Sequence, residues 1–283
     1  MKRALILAGG GARGAFQVGV WKYLRERNWV PDLISGSSIG AINGAAIVSE
    51  IPITQLINLW TSQHRSRLYR LQLLKFLGAA LFKKPLRPIL DTKRMRGVLS
   101  SYVDIPTLRH SSTELIVTAV NISTGRLHLF NNQEITIDHL VASGAMPILF
   151  PWQTINGEPY WDGGVMANSP LFTALERGAE EIIVVLLSPV GQVPQPFPGT
   201  FLNSLELVFE HFLSGSYQTT LSAIDQTLKI AGGRAGWADQ QPRIRVVAPS
   251  RMLGLRSLLN FSSRQAHQLV DQGYRNAREQ LRL

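Results

Sequence analysis

Cysteine is absent from the 283-residue chain. That excludes a disulfide framework, a cysteine nucleophile and cysteine zinc ligands. It also fits a reducing compartment without proving one; cytoplasmic residence is the expectation in the absence of a signal segment. Long apolar runs are missing too: the longest candidate, Leu71 to Phe82, is broken by Gln72, Lys75 and Gly78, too short and too polar to span a bilayer. The opening strand-like run Ala4–Ala8 is too short for the apolar region of a signal peptide and passes straight into glycines. There is no internal repeat and no low-complexity tract. Acidic residues are scarce, 19 against 29 Lys and Arg, for a net charge of +10. Such a chain is drawn to anionic surfaces. No nucleic-acid-binding motif accompanies the charge, so a lipid surface is favoured over nucleic acid.

What is present is apolar material, 45% of residues, enough for a substantial core. The length suits one large α/β domain or two small ones. Ala4 to Ala8 reads as a buried strand, Ala15 to Arg27 as an amphipathic helix, Asp32 to Ser35 as a second strand, and Ile39 to Ser49 as a helix of small residues. This order argues for a parallel sheet with right-handed crossovers. Further strands are predicted at Glu114–Val120, Leu127–Asn131, Glu181–Leu187 and Arg243–Val247. The apolar run from Ile182 to Leu187 reads as a strand covered on both faces. Further helices are predicted at Ile53–Gln63, Thr92–Ser101, Ile137–Ser143, Leu171–Arg177, Leu202–Ile230 and Ser262–Arg282. Asp91 and Thr136 look like N-caps, and the proline-rich stretch 189–198 reads as a loop.

Two motifs near the N-terminus carry chemistry. Gly36-Ser37-Ser38-Ile39-Gly40 places a serine in a strand-to-helix turn, where its hydroxyl stands clear of the backbone for attack. At a helix N-terminus Ser38 also meets a dipole that favours its alkoxide-like form. Gly9-Gly10-Gly11-Ala12-Arg13-Gly14 closes the first strand and opens a helix. Its free N–H groups can hold an oxyanion, because Gly10 and Gly11 present no side chain. Arg13 would add positive charge there or brace the loop. The same spacing matches a dinucleotide fingerprint. That reading needs an acidic residue at the far end of the second strand, but Asp32 precedes the strand's apolar residues and its far end carries Ser35, Gly36 and Ser37.

A Ser-His-Asp machine needs a placed histidine. None of His64, His110, His128, His139, His211 and His267 has a recognisable catalytic setting, and His139 and His267 fall on predicted helices. A carboxylate held beside the serine can act as base directly. Asp162, in Tyr160-Trp161-Asp162-Gly163-Gly164, is the candidate. The aromatics partly desolvate it and raise its basicity, while the glycines permit a tight turn that aims it.

The ordered set formed by the glycine loop, the Ser38 motif and Asp162-Gly163-Gly164 resembles the patatin-like phospholipase family. Ala142–Pro151 resembles that family's small-residue segment before the aspartate, and Val165–Pro170 the asparagine-to-proline turn after it. The resemblance covers about residues 4–190; residues 191–283 are expected to add helices and one strand to a single patatin-like domain spanning 1–283. It implies a three-layer α/β/α sandwich with a mainly parallel central sheet, Ser38 as nucleophile and Asp162 as base. It further implies Gly10, Gly11 and Arg13 around the oxyanion, supported by Gly9, Gly14, Gly36, Gly40, Gly163 and Gly164. The implied activity is lipid acyl-ester hydrolysis of the phospholipase or lysophospholipase type, with no metal and no organic cofactor. A lipid-binding or regulatory module with a vestigial site, and an acyltransferase, are the alternatives. The stretch 65–88 interleaves cations with Leu, Tyr and Phe, a pattern suited either to an anionic bilayer interface or to a core helix followed by a basic loop.

Overall fold

The structure is a computed structural model that describes residues 1–62, 92–191, 197–230 and 242–283. The 65–88 stretch and the cap expected at Asp91 lie outside the described residues. In chain order the elements are β1 (Arg3–Leu7), a short 3-10 turn (Gly11–Gly14), α1 (Ala15–Glu26), β2 (Leu33–Gly36), α2 (Ile39–Val48) and α3 (Ile53–Ser62). After these come α4 (Lys93–Tyr102), α5 (Ile105–His110), β3 (Glu114–Asn121), β4 (Arg126–Phe130), α6 (Ile137–Ser143), β5 (Gln153–Ile155) and β6 (Glu158–Asp162). The last are α7 (Gly164–Ala167), α8 (Leu171–Glu176), β7 (Glu181–Val185), α9 (Phe201–Ile230), β8 (Arg243–Val247), a 3-10 turn (Leu255–Leu259) and α10 (Ser263–Leu281).

The strands form one sheet in the order β5-β6-β3-β2-β1-β7-β8, with β4 also on β3. The five strands from β3 to β8 are parallel; β4, β6 and β5 extend the β3 end antiparallel. Alternation along β1 separates two cores. Leu5 and Leu7 join α1, α2 and α10 on one face, whereas Ala4 and Ile6 join α8 and Tyr217 of α9 on the other. With both faces covered, the strand must be apolar throughout, as its sequence is. This gives the three-layer α/β/α arrangement expected.

Helix α1 departs from the amphipathic expectation. Of its twelve residues, only Lys22 and the last two escape burial, because α10 covers its outer side. The two helices cross where Gly19 meets the backbone of Val270 and Gly273 meets that of Phe16; a Cβ at either glycine would collide with a carbonyl oxygen. The C-terminal helix therefore completes the packing of the first.

The hairpin β5–β6 and helices α5 and α7 were not anticipated. The hairpin's turn is Asn156-Gly157, both at positive φ, a pairing that marks a tight hairpin turn. Thr136 does begin α6: its N–H donates to His139 Nδ1 at 3.2 Å, and the two residues close a capping box. Among the described residues no helix is long and apolar enough to cross a membrane.

Candidate active site

Parallel pairing of β1 with β2 brings the C-terminal ends of both strands side by side. The glycine loop leaves the first and Ser38 leaves the second, so the two motifs meet at one sheet edge, where open α/β sheets hold ligands. Antiparallel pairing aligns Asp162, the last residue of β6, with Ala119 of β3. That sets it two residues past the point where β3 leaves β2. Gly10, Gly11, Ser38 and Asp162 accordingly line one cavity of about 90 Å³.

Ser38 caps α2 with φ 54° and ψ −125°, a strained conformation for a residue with a side chain and the one expected of a nucleophile held on a sharp turn. The turn is possible because Gly36 and Gly40 lie against each other, and a Cβ on Gly40 would strike the Leu7 carbonyl. The Ser38 N–H donates to Ser143 Oγ at 2.9 Å. Ser37 is buried and bonded to Thr118 Oγ1 and the Ala167 carbonyl, so its hydroxyl holds the scaffold.

Asp162 is completely buried. Its Oδ1 accepts the Gly164 N–H at 2.7 Å, while Oδ2 accepts no hydrogen bond. Burial pushes its pKa up to about 7; the neighbouring Ser38 hydroxyl and the Gly164 N–H oppose that rise. The Ser38 hydroxyl is close enough to be felt by the carboxylate but does not close a hydrogen bond to it. Gly163 has an ordinary φ of −62°. It is a glycine because a Cβ would run into Thr118, so close approach rather than turn geometry explains it.

In the loop, Gly10 and Gly11 have φ of 157° and 56°, and Gly11 sits against the Leu258 carbonyl with no room for a Cβ. The loop is pinned from four sides. Gln17 donates to the Ala8 carbonyl at 2.7 Å, and Asn43 to the Gly14 carbonyl at 3.0 Å and to Gln17 Oε1 at 2.8 Å. Asn168 donates its amide to the Gly9 carbonyl at 3.2 Å, and the Gly9 N–H donates to the Asn168 carbonyl at 3.0 Å.

Arg13 is the fourth pin. It is fully buried and pairs with Glu210 of α9 at 2.6 Å. It also donates to Ser257 Oγ at 2.7 Å and to the carbonyls of Leu187 and Gly254, both at 3.0 Å. With Nη1 also on Glu210 Oε2 at 3.2 Å, all five guanidinium N–H groups are used, and the Arg13 backbone N–H is taken by the Gly10 carbonyl. Of the two roles considered for Arg13, these contacts support the brace and leave no donor for an oxyanion. The amides of Gly10 and Gly11 have no acceptor among the described residues.

Among the described residues no histidine lines this cavity. His139 is held by Thr136 and stacks edge-on against Phe130; burial lowers its pKa. His128 faces the Tyr160 hydroxyl. Asp32 accepts the Arg3 N–H at 2.7 Å at the opposite end of β2 from the glycine loop, which removes it as a ribose ligand. The pins Gln17, Asn43, Ser143, Asn168, Glu210 and Ser257 had been given no role from sequence. For Gln17 and Asn43 a signal existed, a polar residue within an otherwise apolar helical stretch.

Beside this cavity lies a second, also about 90 Å³, lined by Ala46, Leu56, Trp60, Val98, Leu99 and Tyr102 among others. The two share Ile39, Ile42, Met95, Phe150 and Phe261 as a common wall.

A mainly parallel α/β/α sandwich with a serine elbow and a glycine loop at one edge defines the class. The patatin-like phospholipase family model matches residues 5–175, and the chain belongs to that family. A cGAMP-activated phospholipase of Pseudomonas aeruginosa is 30% identical over 183 residues, 59% of this chain and 53% of that protein. Human patatin-like phospholipase domain-containing protein 6 is 28% identical over 212 residues, 71% of this chain and 14% of that protein. Among solved structures, VipD from Legionella pneumophila has a TM-score of 0.50 at 14% identity, over 98% of this chain and 66% of that one. The chain thus spans about half or less of these curated relatives.

Proposed function

We propose that the chain is a serine acyl hydrolase that cleaves lipid acyl esters through a Ser38–Asp162 dyad. The observation that carries this reading is the single cavity containing Ser38, the unpartnered Oδ2 of Asp162 and the free amides of Gly10 and Gly11. Ser38 Oγ attacks the ester carbonyl carbon while Asp162 Oδ2 takes its proton. The carbonyl oxygen becomes an oxyanion held by the Gly10 and Gly11 N–H groups. Collapse expels the alcohol portion, which takes the proton back from Asp162 and leaves acyl-Ser38. Water, deprotonated by Asp162, then attacks the acyl-enzyme and releases the carboxylic acid. Arg13, Gln17, Asn43 and Asn168 act by fixing the loop, and Ser143 by fixing the Ser38 backbone. The adjoining apolar cavity suits the hydrocarbon of an acyl chain.

The test is hydrolysis of phospholipids, lysophospholipids and short nitrophenyl esters by wild type, Ser38→Ala and Asp162→Asn, with fluorophosphonate labelling alongside. Both variants are expected to fold and to lose at least about 1000-fold in rate, the scale at which a directly acting group is missed. Ser38→Ala should also lose the label. Wild-type rates in either variant would refute the dyad, and a wild type that neither hydrolyses these esters nor takes the label would return the chain to the class of lipid binders.

A further inference from the structure

The first half of α9 carries an apolar stripe with two fates. Phe201, Leu202, Leu205, Val208, Phe209 and Leu213 recur at the spacing of one helical face. At the inner end, Phe209 and Leu213 line the cavity that holds Ser38 and Asp162. At the outer end, Phe201, Leu202 and Val208 are 80%, 64% and 62% exposed, and Phe197, just before the helix, is 93% exposed. Large apolar side chains clustered in water mark a surface that meets an apolar partner.

Two features identify that partner. The stripe is continuous with the wall of the cavity that holds Ser38, so the outer residues extend the apolar face that lines it. Cations flank it. The 3-10 turn Leu255–Leu259 packs on α9 and carries exposed Arg256, with exposed Arg251 just ahead of it. Neither arginine has an ion-pair partner among the described residues. Among the described residues, Glu206 lies near Gly254, and Glu210 is already paired with Arg13. Apolar side chains bordered by unpaired cations suit the headgroup boundary of an anionic bilayer.

We propose that the exposed half of α9, with Arg251 and Arg256, seats on an anionic phospholipid bilayer and passes lipid along its own apolar face into the cavity. The delivery part rests on the acyl-hydrolase reading; the contact itself is measurable without turnover. The experiment is co-sedimentation of the full chain with phosphatidylcholine vesicles, with and without phosphatidylglycerol. Ester hydrolysis and gel filtration are measured on the same samples.

Wild type and Ser38→Ala should bind the phosphatidylglycerol vesicles equally. The double variant Phe201→Asp, Leu202→Asp should partition at least about tenfold more weakly and lose bilayer hydrolysis in step, with soluble nitrophenyl butyrate still cleaved at the wild-type rate. Arg251→Ala with Arg256→Ala should weaken binding to anionic vesicles and flatten its salt dependence. Equal vesicle binding by wild type and the double variant, or no binding by wild type, overturns the proposal. A wild-type dimer that the double variant abolishes overturns it too, because a second copy then covers the stripe. If Ser38→Ala still cleaves the soluble ester, the dyad fails instead, and the vesicle result stands apart from it.

Discussion

Burial makes Asp162 a poor acid, and that has two measurable consequences. A base with a pKa of about 7 is half protonated at neutral pH, so kcat/KM should climb as pH rises through about 7 and level off above it. A profile flat from pH 5 to 9 would remove Asp162 as the base. The same shift has a stability sign. Between the ordinary carboxyl value of 3.8 and about 7, the folded chain holds a proton that the unfolded chain has released. Stability is therefore greatest below that window and falls as pH rises through it. Ionising the group in the fold costs on the order of 4 kcal/mol. Asp162→Asn keeps an acceptor for Gly164 and has no charge to bury. It should be more stable than wild type above pH 7 in urea titrations and nearly equal to it near pH 4; an identical difference at both pH values would contradict this.

At the scale of elements, α2, α3 and α4 supply most of the lining of the second apolar cavity, and its size should govern which acyl chains react. Val98 lines that cavity and not the one containing Ser38. Val98→Trp should fill it, leaving butyrate esters turned over normally while long-chain esters slow by about 10- to 100-fold, the discrimination a hydrophobic pocket can supply. An unchanged chain-length profile, in a variant that melts like wild type, would show that acyl chains lie elsewhere.

Most elements were legible because burial on both sheet faces forces continuous apolar strands, and Ile182 to Leu187 could be nothing else in this order. The β5–β6 hairpin was passed over although Asn156-Gly157 announced it, since β5 has three residues and one of its two buried positions is Gln153, so its burial alternates without an apolar alternation in sequence. Ser38 and Asp162 stood out through the glycines around them, although Gly163 proved to be required for space rather than for turning. Glu210 had no such surroundings, and Asn168 was marked only as part of the asparagine-to-proline turn, with no partner assigned to it. Their meaning lies in contacts with residues 197 and 159 positions away, and no local pattern records those.

Across the whole molecule, the candidate site is assembled from pieces distributed along the sequence. The loop comes from the start, Asp162 from the middle, and the outer support from α9 and the turn Leu255–Leu259. The C-terminal third, where no family motif was recognised, supplies Phe209, Leu213, Leu258 and Phe261 to the cavity. It is as much a part of the site as the motifs are.

The guanidinium of Arg13 ties together residues 13, 187, 210, 254 and 257. During synthesis, Gly254 and Ser257 are made after the loop's other anchors. Until they are made, Arg13 lacks two of its acceptors, and the glycine loop is held only by its earlier contacts. Stalled nascent chains ending before Gly254 are expected to escape fluorophosphonate labelling, and released chains carrying residues 1–283 to take it up. Equal labelling of both would show that the loop sets itself without its distant anchors.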